Sequence, residues 1–344
     1  MDSITQVALG SAVSYAFLGH KLGRRALLVG AAFGTLPDLD VLVDFGGSVE
    51  NFVYHRSFSH SLLVQLFLSP MLAWVLLRFE WAKSVSFSRW STSLFFILST
   101  HALLDTFTVY GTQLLWPLSN YPFGISSIFI IDPLYTLPLL ITGLLISFNI
   151  CKPIANRVNQ TALLLSSIYL GWSLVAKATI DHKVDQAIQA QQLEYLAYES
   201  TPSAFNTFLW RAVATTPSGH YEIYASIFDS PDEVSIAFYP THNQLLSKFT
   251  QQHRIELLQN FTKGLYGVYK EGNTLILSDL RMGLEGFYVF SFVIAQQTDS
   301  GMEVADFDQL KRRPPLSRVN LVFDRITDPS VDLSLTNSAL LQAQ

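Results

Sequence analysis

Apolar residues fill the first half of the chain in long runs, at roughly 4–19, 26–44, 60–79, 91–110, 124–149 and 160–178. Most approach the ~20 residues that an α-helix needs to cross a bilayer. The pattern therefore predicts an α-helical polytopic membrane bundle of five or six spans. The run at 26–44 is the weakest, because Pro37 and the carboxylates Asp38, Asp40 and Asp44 interrupt it. It reads as a broken or re-entrant helix, tolerated only where protein or a wet cavity covers the loose backbone. Trp74, Trp81, Trp90, Trp116, Tyr110 and Tyr121 fall near run ends, as an interfacial aromatic belt would.

After residue 180 the periodicity changes. Residues 183–198 have helical composition, and 243–260 form a second amphipathic candidate. Strand-like runs occur at Tyr221–Phe228, Val234–Tyr239, Leu265–Tyr269, Thr274–Leu277 and Phe287–Ala295, with Glu271-Gly272-Asn273 placed as a hairpin turn. The expectation is a soluble α+β domain with one antiparallel sheet flanked by two helices. The chain then divides into a membrane helical domain (1–179), an extramembrane α+β domain (180–330) and a loose tail (331–344).

Composition supports this division. Only 14% of the 344 residues are charged, against about 25% in average soluble chains. Residues 1–179 hold ten Lys/Arg and eight Asp/Glu, whereas 180–344 hold twelve and nineteen. The net charge of −5 and the absence of a basic block give no reason to expect a nucleic-acid partner; Lys311-Arg312-Arg313 before Pro314-Pro315 reads as a solvated loop. The single cysteine, Cys151, excludes an internal disulfide and a Cys-based zinc site. Basic residues cluster in His20–Arg25, Arg78–Arg89 and Cys151–Arg157, which follow the first, third and fifth runs. By the positive-inside rule those loops are cytoplasmic. Counting spans then places the chain start and the C-terminal domain on the outer side.

Ionisable residues inside apolar segments are costly, and their presence is a functional hypothesis by default. They occur here as Asp2 with Gln6, Asp38 and Asp40, His55-Arg56 with Ser59-His60, and His101 with Asp105. His101 and Asp105 are spaced i, i+4 and share one helix face. At 1.5 Å per residue all of these groups fall in the outer half of the presumed bilayer or just beyond it. Neutral imidazole and carboxylate suit zinc, with manganese or iron as further options. Three histidines and several aspartates exceed the needs of one tetrahedral ion, so two or three ions are expected. The expected ligands are Asp38, Asp40, His55, His60, His101 and Asp105, with Asp2 as an accessory. Structural readings stand beside these: a lone buried histidine is more often packed than ligating, and Asp38 or Asp40 could cap a helix or pair with Arg56.

The segments Met1-Asp2-Ser3-Ile4-Thr5-Gln6 with Gly10, Pro37-Asp38-Leu39-Asp40, His55-Arg56-x-x-Ser59-His60-Ser61, His101-x-x-x-Asp105 and Tyr110-Gly111-Thr112 resemble the YdjM-type family of predicted membrane-bound metal-dependent hydrolases. The resemblance covers most of the first half. Thr201–Asn206, Trp210-Arg211 and Ser278-Asp279-Leu280-Arg281 look like the C-terminal part of its longer members. It implies a bacterial-type inner membrane and a distant similarity to zinc-dependent phospholipase C and single-strand nucleases, hence phosphoester hydrolysis. Many members carry His where this chain has Gln6, which puts one metal position in doubt.

The expected function is thus a membrane-bound hydrolase that uses a metal-activated water on a lipid or lipid-linked phosphoester. Asp38 or Asp40 would act as the base and Arg56 would hold the anionic group. Trp210, Arg211, Asp279 and Arg281 either face that site or simply pack the outer domain. The rival readings are an intramembrane ion or proton carrier and a non-enzymatic envelope-assembly protein.

Overall fold

The computed structural model describes residues 1–249, 252–312 and 319–333. It forms two compact units, one of Met1–Val43 with Tyr54–Leu174, the other of Asp44–Val53 with Val175–Gln344. In chain order the helices are α1 (Ser3–Leu22), α2 (Arg25–Gly34), α3 (Ser48–Tyr54), α4 (Leu62–Leu76), α5 (Phe87–Thr106), α6 (Pro133–Ser147), α7 (Ala155–Ala190), α8 (His253–Phe261) and α9 (Val319–Arg325). The division between the units falls inside α7.

The first unit is helical. Asp2 caps α1 by accepting hydrogen bonds from the backbone N–H groups of Ile4 and Thr5, as an N-cap aspartate does. Gly23, at φ 55°, ends α1 and lets the chain fold back into α2. These two helices then meet backbone to backbone. A Cβ on Gly30 would lie 2.1 Å from the carbonyl oxygen of Gly10, and one on Gly34 would lie 2.9 Å from that of Gln6. No residue larger than glycine fits that crossing without displacement. Around it, Leu18, Ala26, Trp90 and Leu94 form one core, and Leu9, Ile97, Ile128 and Leu139 another.

The expected bundle of five or six spans is corrected by helix length and composition. Among the described residues, the helical stretch Lys152–Ala190 is long and apolar enough to cross a membrane. The pair Ser48–His60 and Leu62–Leu76 qualifies only if its two bent segments count as one span. The best window of the Lys152–Ala190 stretch is only 22% buried, unlike the core helix of a soluble protein. The run at 26–44 becomes a 10-residue helix, α2, that stops before Pro37; it covers about 15 Å, half of a hydrocarbon core. The run at 124–149 yields the 15-residue α6, because Asp132 caps it and Pro133 occupies its first turn. Helices α1 and α5 reach 20 residues but are diluted by Ser, Thr, Gln and His. The placement of the C-terminal domain on the outer side rested on that span count and loses its basis with it.

The second unit is mixed. Strands β1 (Ala197–Pro202), β2 (Leu209–Thr216), β3 (Gly219–Ser226) and β4 (Ser235–Pro240) form an antiparallel meander in that order. Strands β5 (Tyr266–Glu271), β6 (Thr274–Asp279), β7 (Ser291–Thr298) and β8 (Gly301–Val304) form a second antiparallel sheet, with β9 (Gln309–Leu310) paired to β7. Two sheets stand where one was expected. The helix expected at 183–198 is helical only to Ala190, as the end of α7, which is continuous with the last apolar run; Ala197 and Tyr198 already belong to β1. Gly272, at φ 54°, turns β5 into β6 as the Glu271-Gly272-Asn273 signal predicted. The expected second helix, 243–260, is a 3-10 turn over Asn243–Phe249 followed by α8. Arg313, Pro314 and Pro315 of the basic loop, and residues 334–344 of the tail, lie outside the described residues.

The polar residues singled out in this unit are consumed by its own packing. Trp210 is fully buried and donates to the carbonyl of Thr207. Arg281 pairs with Asp279 at 2.7 Å. Arg211 on β2 pairs with Glu222 on β3 and donates to the carbonyl of Leu280 at 2.8 Å. The Glu285 amide donates to Glu222 at 2.9 Å, and the Glu285 carboxylate accepts from the hydroxyls of Tyr269 and Tyr288. Burial, reinforced by the Glu222 charge, pushes the Glu285 carboxyl up to about 7.

Candidate metal centre

Two breaks in the helical backbone and one face of α5 bring the polar groups of the first unit together. Pro37 starts a 3-10 turn, Pro37–Leu42, after α2, and this turn carries Asp38 and Asp40. A second 3-10 turn, Phe58–His60, precedes α4 and carries Ser59 and His60. His101 and Asp105 project from one face of α5. Among the described residues, Asp38, His60, His101 and Asp105 form a group that could hold a metal ion, with donor atoms within 4.8 Å of one another.

The geometry of that group is compact. His60 Nε2 lies 3.1 Å from His101 Nε2, 3.1 Å from Asp105 Oδ2 and 3.7 Å from Asp38 Oδ1. His101 Nε2 lies 3.4 Å from Asp38 Oδ1 and 3.5 Å from Asp105 Oδ2. A tetrahedral ion with bonds of about 2.0–2.1 Å has ligand–ligand edges of about 3.3–3.4 Å, so the spacing fits one such ion. The chemistry fits as well. His101 Nδ1 lies 2.6 Å from the carbonyl oxygen of Gly34, which can only accept, so Nδ1 carries the proton. In the neutral ring Nε2 then presents a lone pair to the group. Asp105 Oδ2 is buried and receives no hydrogen bond. Beside the Arg56 guanidinium, whose Nε is 3.3 Å from Asp105 Oδ2, the crowded imidazole and carboxylate acceptors suit a further cation.

The surrounding residues hold these donors in place. Gln6 donates from Nε2 to Asp105 Oδ1 at 3.0 Å, and the Met1 α-amino group pairs with the same oxygen. That leaves Oδ2 turned to the histidines. Gln6 thus supports a ligand without joining the group. Arg56 places its Nε 3.3 Å from Asp105 Oδ2, donates to Thr108 Oγ1 at 3.3 Å and lies over the Tyr110 ring. Its backbone is left-handed, at φ 63°, a conformation rare outside glycine and found at constrained functional positions.

The other expected ligands are placed elsewhere. Asp2 is engaged as the α1 cap and by the Thr5 hydroxyl. Asp40 stands behind the group: it accepts from His55 Nδ1 at 2.8 Å, from the Arg56 amide at 2.9 Å and from Ser59 Oγ at 2.7 Å. His55 is thereby turned to Asp40, its side chain one-quarter exposed. The group of four accommodates a single ion, fewer than the two or three expected from the number of candidate ligands. Two supporting elements escaped the sequence reading. The Gly34 carbonyl carries no side-chain signal at all. Ser59 lay in plain view within the His55–Ser61 motif without a role of its own; Ser61 caps α4.

Comparison with known proteins bears on the same half of the chain. The profile of the YdjM inner membrane protein family matches residues 1–180. No curated protein and no solved structure matches the chain, and a relation to zinc-dependent phospholipase C or single-strand nucleases does not emerge from these comparisons. The matched segment is more than half of the 344 residues and contains all four converging side chains. The chain belongs to the YdjM inner membrane protein family.

Proposed function

We propose that this inner membrane protein is a metal-dependent hydrolase acting on a phosphoester, with a lipid or lipid-linked molecule as substrate. The observation that carries the reading is the convergence of His60 Nε2, His101 Nε2, Asp38 and Asp105 in a buried position. His60, His101 and Asp105 would hold a divalent cation, zinc first by the donor set and manganese or iron next, which with a position left open beside Asp38 would supply an activated water and polarise a phosphoryl oxygen. Arg56, whose Nε pairs with Asp105 Oδ2 at 3.3 Å, is the group assigned to the anionic oxygens of the substrate. The base assigned by this reading is Asp38, whose side chain is one-quarter exposed while those of its three partners are buried.

The lipid preference rests on what surrounds the aspartates. Leu39, Val41 and Leu42 lie on the same 3-10 turn as Asp38 and Asp40, and they are 51%, 72% and 80% exposed. A turn that sends carboxylates inward and bare aliphatic side chains outward suits acyl chains beside a polar head group.

The test begins with elemental analysis of detergent-purified protein beside the double variant His60→Ala/His101→Ala. Hydrolysis of phospholipid in mixed micelles is then assayed with and without chelator. Stoichiometric metal in the wild type alone, with chelator-sensitive turnover, is expected. No bound transition metal in the wild type, or undiminished turnover by the double variant, overturns the reading. Ion flux in liposomes that ignores chelators would favour a carrier instead.

A further inference from the structure

The metal-site reading leaves one question that hydrogen-bond counting answers: what fixes the proton on His60? For His101 the Gly34 carbonyl does so. His60 has no carbonyl at its Nδ1; its neighbour there is the hydroxyl of Ser59, at 2.9 Å. A hydroxyl has one proton to donate. Ser59 Oγ also lies 2.7 Å from Asp40 Oδ2, and that oxygen accepts the Arg56 amide as well, at 2.9 Å. Asp40 Oδ1 accepts from His55. A carboxylate so engaged is an acceptor only, so the Ser59 proton points to Asp40. The Ser59 oxygen must then accept from His60 Nδ1–H, and the His60 lone pair is confined to Nε2, inside the group. Asp40 cannot do this directly, because His60 Nδ1 is 3.6 Å from Asp40 Oδ2, beyond hydrogen-bond reach.

We propose that Ser59 is a positioning residue, which relays the Asp40 carboxylate to His60 and sets the imidazole for metal binding. The proposal rests on the metal-site reading given above. It divides the two aspartates of the Pro37–Leu42 turn: Asp38 faces the ion, and Asp40, two residues on, backs the histidine that faces it. Groups that orient a ligating imidazole commonly account for about 10–100-fold in metal affinity.

The experiment is a zinc titration of the detergent-purified full chain against a chromophoric chelator. Wild type is compared with Ser59→Ala, Ser59→Thr and Ser57→Ala. Ser57 sits in the same loop, but its hydroxyl donates to the Tyr54 carbonyl, so it reports a general loosening of that loop. Ser59→Ala is expected to weaken zinc about 10–100-fold, Ser59→Thr to restore most of the loss, and Ser57→Ala to leave affinity unchanged. Thermal melts in excess chelator, where the relay has no ion to serve, are expected to show the Ser59 variants folded like the wild type. Zinc affinity unchanged in Ser59→Ala, or reduced equally in Ser57→Ala, overturns the relay while the metal site stands. A wild type that binds no zinc removes the metal site and the relay together.

Discussion

His60 and His101 face each other Nε2 to Nε2 at 3.1 Å, on elements separated by 41 residues of chain. With Asp38 and Asp105 closing the other sides, the four donor atoms could hold one cation. Removing a single member therefore has a consequence beyond lost packing. Asp105→Asn preserves shape and the bond from Gln6 but removes a full negative charge from the group. Metal content by elemental analysis is expected to fall well below one ion per chain. Added zinc should then raise the melting temperature of the wild type and not that of the variant. Saturation at one hundred times the dissociation constant corresponds to about 2.7 kcal/mol of stabilisation.

Asp2 offers the opposite case. Its carboxylate caps α1, and loss of an N-cap costs about 0.5–2 kcal/mol. Asp2→Ala is expected to lower the midpoint of thermal unfolding while leaving the metal content at the wild-type level. A drop in bound metal matching that of Asp105→Asn would return Asp2 to the ligand set.

The crossing of α1 and α2 couples stability to the site. A methyl on Gly30 would drive into the Gly10 carbonyl, and forcing extra bulk into a packed contact costs about 1–3 kcal/mol. The same displacement moves Gly34, whose carbonyl holds His101. Gly30→Ala is expected both to destabilise the protein and to weaken zinc binding. Gly143→Ala on α6, where a Cβ meets nothing within 4 Å, is expected to do neither; melting curves and chelator competition read the two effects.

Glu285 predicts a pH dependence in the second unit. Its carboxyl is pushed by burial, and then by Glu222, from an ordinary value of 4.5 up to about 7. Below pH 4.5 it is protonated in both folded and unfolded chains and carries no penalty. Between pH 4.5 and 7 the unfolded chain ionises first, and stability falls; above pH 7 the full penalty of about 3 kcal/mol applies. Glu285→Gln, which can still bond Tyr269 and Tyr288, is expected to raise stability at pH 8 and to give no gain at pH 4.5. Denaturant unfolding followed at both pH values tests the sign.

The sequence by itself determined which chemistry is present and much of where it lies. Polar and ionisable residues stand out in apolar runs, and the i, i+4 spacing of His101 and Asp105 survives as a shared helix face because helical geometry is local. Runs of strand-forming residues likewise located β3 to β7, and glycine marked the β5–β6 turn. The first two strands were missed: β1 and β2 pair side by side, and that pairing is long-range information a local run does not carry. The number of spans was overread because apolar composition continues past the points where Pro37 and Asp132 end or begin a helix.

Only the tertiary structure decided the roles of equivalent residues. Asp38 and Asp40 are alike in sequence, and so are His55 and His60. Which of each pair joins the candidate metal group depends on where the Ser59 hydroxyl, the Gly34 carbonyl and the α5 face meet. That meeting is fixed by long-range packing, down to a glycine crossing that admits no methyl group, and a linear pattern carries no record of it.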